Sequence, residues 1–163
     1  MIDPNARPPA EPAVGEVPRE RVYRVMIVDV DPLMRETLTS VISKVEGFTV
    51  THSLGNHEEV IGQFKKDMPD VAIVELDLPW MSGLDIAKKM LEIHGDTAIY
   101  IISTYDYFET SQLTLGMKLA GHILKPVSPV ELTEMFKRHK DHYKLKPSPQ
   151  LALLSDIVKE RAF

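Results

Sequence analysis

Strand-length apolar runs recur five times along this chain, at Tyr23–Asp29, Phe48–His52, Val71–Glu75, Ile99–Ser103 and Gly121–Leu124, and several are apolar at consecutive positions. A strand with one wet face alternates apolar and polar residues. Continuous apolarity means burial on both faces, as in a parallel sheet covered by helices on each side. The stretches between the runs carry helix punctuation. Asp31-Pro32 supplies an N-cap and a first-turn proline, Leu33, Met34, Leu38, Val41, Ile42 and Val45 recur at helical spacing, and Gly47 is placed to close that helix. Asn56 with Glu59, Asp106 with Glu109, and Ser128-Pro129 with Glu131 each set a cap and an acid around a first turn, opening the second, fourth and fifth helices. The third starts near Gly83 and runs through Ile86, Met90 and Leu91 to about His94. Five βα units predict a doubly wound, flavodoxin-like (βα)5 fold with a five-stranded parallel sheet and right-handed crossovers.

The 163 residues suffice for one such domain with tails. Residues 1–21 carry five prolines among small and charged residues and read as a disordered leader, too poor in large apolar groups to offset the entropy of ordering. The globular unit is expected over residues 22–145. After it, Pro147-Ser148-Pro149 breaks the chain, and Leu151, Leu154, Ile157 and Val158 return at helical spacing in a linker and short amphipathic helix over 146–163. That segment is suited to docking on the domain, pairing with a second copy or opening an output domain. A net charge of −5 argues against a general nucleic-acid or membrane-surface binder. With no cysteine there is no thiolate site or disulfide. No apolar run approaches the roughly 20 residues of a membrane span, and the expectation is a cytoplasmic protein.

In a sheet of this kind sites form where the carboxyl ends of the strands meet the reversal of strand order. Those ends read Asp29-Val30-Asp31, Glu75-Leu76-Asp77, Ser103-Thr104 and Lys125-Pro126. Acids, hydroxyls and a lysine at separate strand ends are expected to converge, because buried charge is costly unless paired.

Three blocks, Val25 to Pro32, Pro69 to Gly83 and Leu124-Lys125-Pro126, resemble the signature blocks of the response-regulator receiver (CheY-like) family, and Ser103 stands 22 residues before Lys125, as that family's switch hydroxyl does. The resemblance spans roughly Arg24 to His139. It implies an acidic pair after the first strand and an aspartate ending the third that together hold Mg²⁺, with the aspartate accepting a phosphoryl group from a histidine kinase. It further implies that Ser103, with Thr104 beside it, and Lys125 contact the phosphoryl oxygens. His122 falls where an inward-turning aromatic is common, and the Lys125–Pro126 bond is often cis in the family.

Two positions depart from the pattern. Leu78-Pro79 fixes the register so that Glu75, not Asp77, stands at the acceptor position, and Val30 replaces the second acid of the pair. Asp29, Asp31 and Asp77 remain as an acidic pocket, Asp31 reading as a helix cap and Asp77 as a solvated loop acid. Asp29 and Glu75 are the candidate carboxylates for a metal, one ligand position being lost to Val30, so Mg²⁺ binding is expected to be weak or absent and no cofactor is required. The longer glutamate arm displaces its carboxylate by roughly an angstrom, enough to cost about a hundredfold in a positioned reaction. The expectation is an atypical pseudo-receiver, not an enzyme, that acts as a phosphorylation-independent protein-interaction module. The alternative is a receiver phosphorylated on Asp77 or Asp29 and controlling an output domain. The partner expected is a protein, a histidine kinase or a downstream regulator, or a second copy meeting it through the fourth and fifth helices and fifth strand. No membrane or direct nucleic-acid contact is expected.

Overall fold

The computed structural model describes residues 21–105 and 116–144, with side chains through His142. The order is β1 (Tyr23–Val28), α1 (Pro32–Ser43), β2 (Phe48–Leu54), α2 (His57–Asp67), β3 (Val71–Glu75), α3 (Gly83–Ile93), β4 (Ala98–Ser103), β5 (Gly121–Leu124) and α4 (Pro129–Lys144). The helix predicted to open at Asp106, the leader up to residue 20 and the segment after Pro147 lie outside the described residues. Thus α4 is the helix predicted fifth.

All neighbouring strands are parallel, in the order β2-β1-β3-β4-β5. Successive residues of the central strands face opposite sides, which explains their continuous apolarity. Val25, Ile27, Ile73, Tyr100 and Ile102 pack with Leu38, Ile42 and Phe136 of α1 and α4. Met26, Val28, Val74, Ile99 and Ile101 pack with Val60, Phe64, Ile86 and Met90 of α2 and α3. Edge strand β2 has a different burial pattern, alternating buried or half-buried with exposed residues. It continues two residues past the predicted His52, whereas β1 stops one short of Asp29.

Local chemistry sets the helix starts. Asp31 Oδ1 accepts from Leu33 N at 3.0 Å with Pro32 at the first position of α1, Asn56 Oδ1 accepts from Glu58 N at 3.2 Å, and Ser82 Oγ from Leu84 N at 3.2 Å. Ser128 Oγ accepts from Glu131 N at 3.3 Å. The return bonds predicted from Glu59 and Glu131 do not form among the described residues, because both acids are exposed and solvation competes with them. Gly47 does not close α1, which ends at Lys44. It takes φ +89° in the following turn, and its carbonyl accepts from Tyr23 N at 2.7 Å. The left-handed helix end is instead Met68, with φ +41° closing α2.

Candidate functional site

Because the chain leaves β1 outward to β2 and returns to β3, the order reverses between β1 and β3, and the carboxyl ends of β1, β3 and β5 deliver Asp29, Glu75 and Lys125 to one cluster. Asp29 and Glu75 are buried, and the Lys125 side chain is mostly covered. Lys125 Nζ lies 3.1 Å from Asp29 Oδ2 and in contact with Glu75 Oε2. Each carboxylate turns its other oxygen to backbone: Asp29 Oδ1 accepts from Asp31 N at 2.9 Å, and Glu75 Oε1 from Asp77 N at 3.3 Å. Asp29 Oδ2 and Glu75 Oε2 both turn to the Lys125 ammonium, whose charge compensates them.

Two carboxylates share one ammonium, leaving the cluster one charge negative when all three groups are ionised. Burial pushes the Glu75 carboxyl above its ordinary value of 4.5, against the pull of Lys125 and with help from the Asp29 charge. Burial works to lower the Lys125 ammonium, but its two acidic partners outweigh it and hold the group above its ordinary 10.5. The common cause is the shortage of positive charge.

The remaining predicted residues separate into two groups. Ser103 is fully buried at the end of β4, its Oγ 2.8 Å from His122 Nε2 on β5, and its carbonyl accepts from Lys125 N at 2.8 Å. Lys125–Pro126 is cis. Asp31, Asp77 and Thr104 are exposed, and Asp31 serves as the cap of α1. Val30 is 40% exposed beside Asp29. Two contributors escape a reading of residue types. Arg35 Nη1 donates to the Asp29 carbonyl at 2.6 Å, in a gap that only Gly55 leaves open, since a Cβ there would sit 2.4 Å from that nitrogen. Gly83 admits the Glu75 backbone, whose oxygen would lie 2.0 Å from an added Cβ. The signal for Arg35 is its place at the end of the first turn of α1, six residues past Asp29.

The match to the response regulator receiver domain model covers residues 25–137. The chain belongs to that family. It is 30% identical over 114 residues to the transcriptional regulatory protein YxjL of Bacillus subtilis, covering 70% of this chain and 52% of that one. It is 28% identical over 115 residues to the positive alginate biosynthesis regulatory protein of Pseudomonas aeruginosa, covering 70% and 46%. The receiver thus spans about half the length of these relatives. Among solved structures it resembles the REC domain of AraT, a response regulator from Geobacillus stearothermophilus, with 26% identity, TM-score 0.68 and coverage of 76% of this chain and 96% of that one. The CheY-like receiver from Methanospirillum hungatei shares the fold, with 23% identity, TM-score 0.66 and coverage of 76% and 97%.

Receivers of this family are signalling modules of two-component systems. The Mg²⁺ implied by the family does not fit the donors present. Both remaining carboxylates are committed to Lys125, an isopropyl group occupies the third position, and no group of three His, Asp or Glu converges among the described residues. Nor is any described helix long and apolar enough to cross a membrane.

Proposed function

We propose that this receiver is a pseudo-receiver, a protein-interaction module in signal transduction that works without phosphorylation of the usual kind. The observation that carries this reading is the Lys125 ammonium held between Asp29 and Glu75. In a phosphorylating receiver a lysine at this place meets the incoming phosphoryl oxygens. Here it is occupied by the acid standing at the acceptor position, and Glu75 serves as a built-in anion. Phosphoryl transfer depends on a cation to offset charge on the equatorial oxygens, and Val30 removes a ligand for that cation. The alternative acceptors are poorly disposed, since Asp29 has both oxygens engaged and Asp77 is exposed and outside the cluster.

The Ser103–His122 bond supports a fixed switch state, with the buried hydroxyl and the ring of β5 drawn toward each other. On this reading the output surface is the side of the molecule built by β5 and α4, its partner is a protein, and the setting is the cytoplasm. The test is incubation with acetyl phosphate and Mg²⁺ followed by intact-mass measurement. No mass gain is expected, and a stoichiometric gain of one phosphoryl group would overturn the reading.

A further inference from the structure

We propose that a cavity between the start of β5 and the last turns of α4 binds a small oxyanion, either a carboxylate or a phosphate compound, and that its occupancy is felt at Ser103 through His122. The cavity measures about 530 Å³, within the roughly 300–1,000 Å³ typical of small-molecule sites. Arg138, His139 and His142 of α4 line it together with His122 of β5 and Tyr100 of β4, and there is no Asp or Glu among the described lining residues. This is a concentration of potential positive charge in a chain whose net charge is −5.

Arg138 forms no hydrogen bond or ion pair among the described residues. Its planar fork of donors suits a carboxylate or phosphate oxygen pair. Tyr100 and His139 are bonded to each other at 2.7 Å, which fixes the imidazole that forms the inner wall. Leu119, Ala120, Gly121 and Met135 complete the described lining, so the site suits an anion with a carbon body.

His122 is the link to the switch. It lines this cavity and an adjoining smaller one that contains Glu131, and its Nε2 meets the buried Ser103 hydroxyl. With its proton on Nδ1, the neutral imidazole accepts the Ser103 proton at Nε2, whereas an imidazolium donates from Nε2 to Ser103 Oγ and frees that proton to turn elsewhere. An anion beside His122 favours the imidazolium, so occupancy would reverse the hydrogen bond that Ser103 makes next to Lys125. The site lies apart from the Glu75 cluster, and its test is independent of phosphorylation.

The experiment is an amide NMR titration of the full chain at pH 7 with citrate and, separately, with inorganic phosphate. Saturable shifts at Arg138, His139 and His142 are expected with at least one probe. Citrate alone would identify a carboxylate site, phosphate alone a phosphate site, and both a general oxyanion site. The Arg138→Ser variant, at an exposed position, should weaken binding about tenfold. Absence of saturation with both probes up to about 10 mM, or unchanged affinity in Arg138→Ser, would overturn the site. In His122→Phe the α4 shifts should persist while the Ser103 shift disappears. A Ser103 shift that persists would overturn the relay.

Discussion

At the scale of single residues, Glu75 and Lys125 predict opposite mutational outcomes although they touch. Removing the ammonium with Lys125→Met strands two buried acids, which should cost about 3 kcal/mol in urea unfolding at pH 7. Glu75→Gln instead leaves Asp29 and Lys125 balanced one to one, and should change stability by less than about 1 kcal/mol. The two proteins should also differ in pH profile. A carboxyl held above its ordinary value binds more protons folded than unfolded, so its contribution to stability is full below 4.5 and lost as pH rises through the folded value. Lys125, also raised, contributes fully below 10.5 and loses that contribution as pH climbs beyond it. Urea midpoints measured across the acid range should therefore decline from pH 4.5 upward in the natural chain relative to Glu75→Gln. Equal slopes would contradict the burial of an ionisable Glu75. The double change Val30→Asp with Glu75→Asp should restore labelling by acetyl phosphate in the mass assay, because it returns both carboxylates at the length the chemistry needs.

At the scale of elements, much of the fold was legible because local rules and tertiary demands coincide. The strands are apolar at consecutive positions because helices cover both faces, and Asp31-Pro32 starts α1 through a cap that needs no distant partner. The meeting of Asp29 and Glu75 with Lys125 follows from a related demand, that buried charge meet its opposite, whereas Asp31, Asp77 and Thr104 at the same strand ends are exposed and stay outside the cluster. What was not legible depends on distant approach. Nothing local places a left-handed residue at Met68, at the end of α2, or keeps Gly47 from closing α1, and nothing local tells Arg35 to reach back to the Asp29 carbonyl through the gap at Gly55. The buried bond between Tyr100 and His139 spans 39 residues and joins a strand to a helix. Met68 yields a direct prediction. A side chain in the left-handed region costs about 1 kcal/mol, and this one is 44% exposed, so Met68→Gly should raise the unfolding free energy from urea titration by up to about 1 kcal/mol. Gly83→Ala should do the reverse by about 2 kcal/mol or more, since its methyl has nowhere to go but into the Glu75 backbone.

At the scale of the molecule, one sheet serves two cores, so damage to either face should be felt by the whole. Phe64→Ala on one side and Phe136→Ala on the other each remove a fully buried ring, and each should cost about 3–5 kcal/mol. Both should unfold in a single step, seen alike by far-ultraviolet circular dichroism and by fluorescence of Trp80, the only tryptophan. Separate transitions would mean that the faces melt independently. The placement of Lys125 adds an asymmetry. Its acidic partners end interior strands, whereas it follows β5, which lies at the edge of the sheet and is joined to β4 by four residue pairs. The ion pair therefore acts as a clasp fastening the border of the sheet to its middle. When the clasp opens, through loss of the Lys125 charge, β5 should be the first strand to exchange its amide hydrogens with solvent, which makes the ammonium's proton a control on how tightly the edge is held.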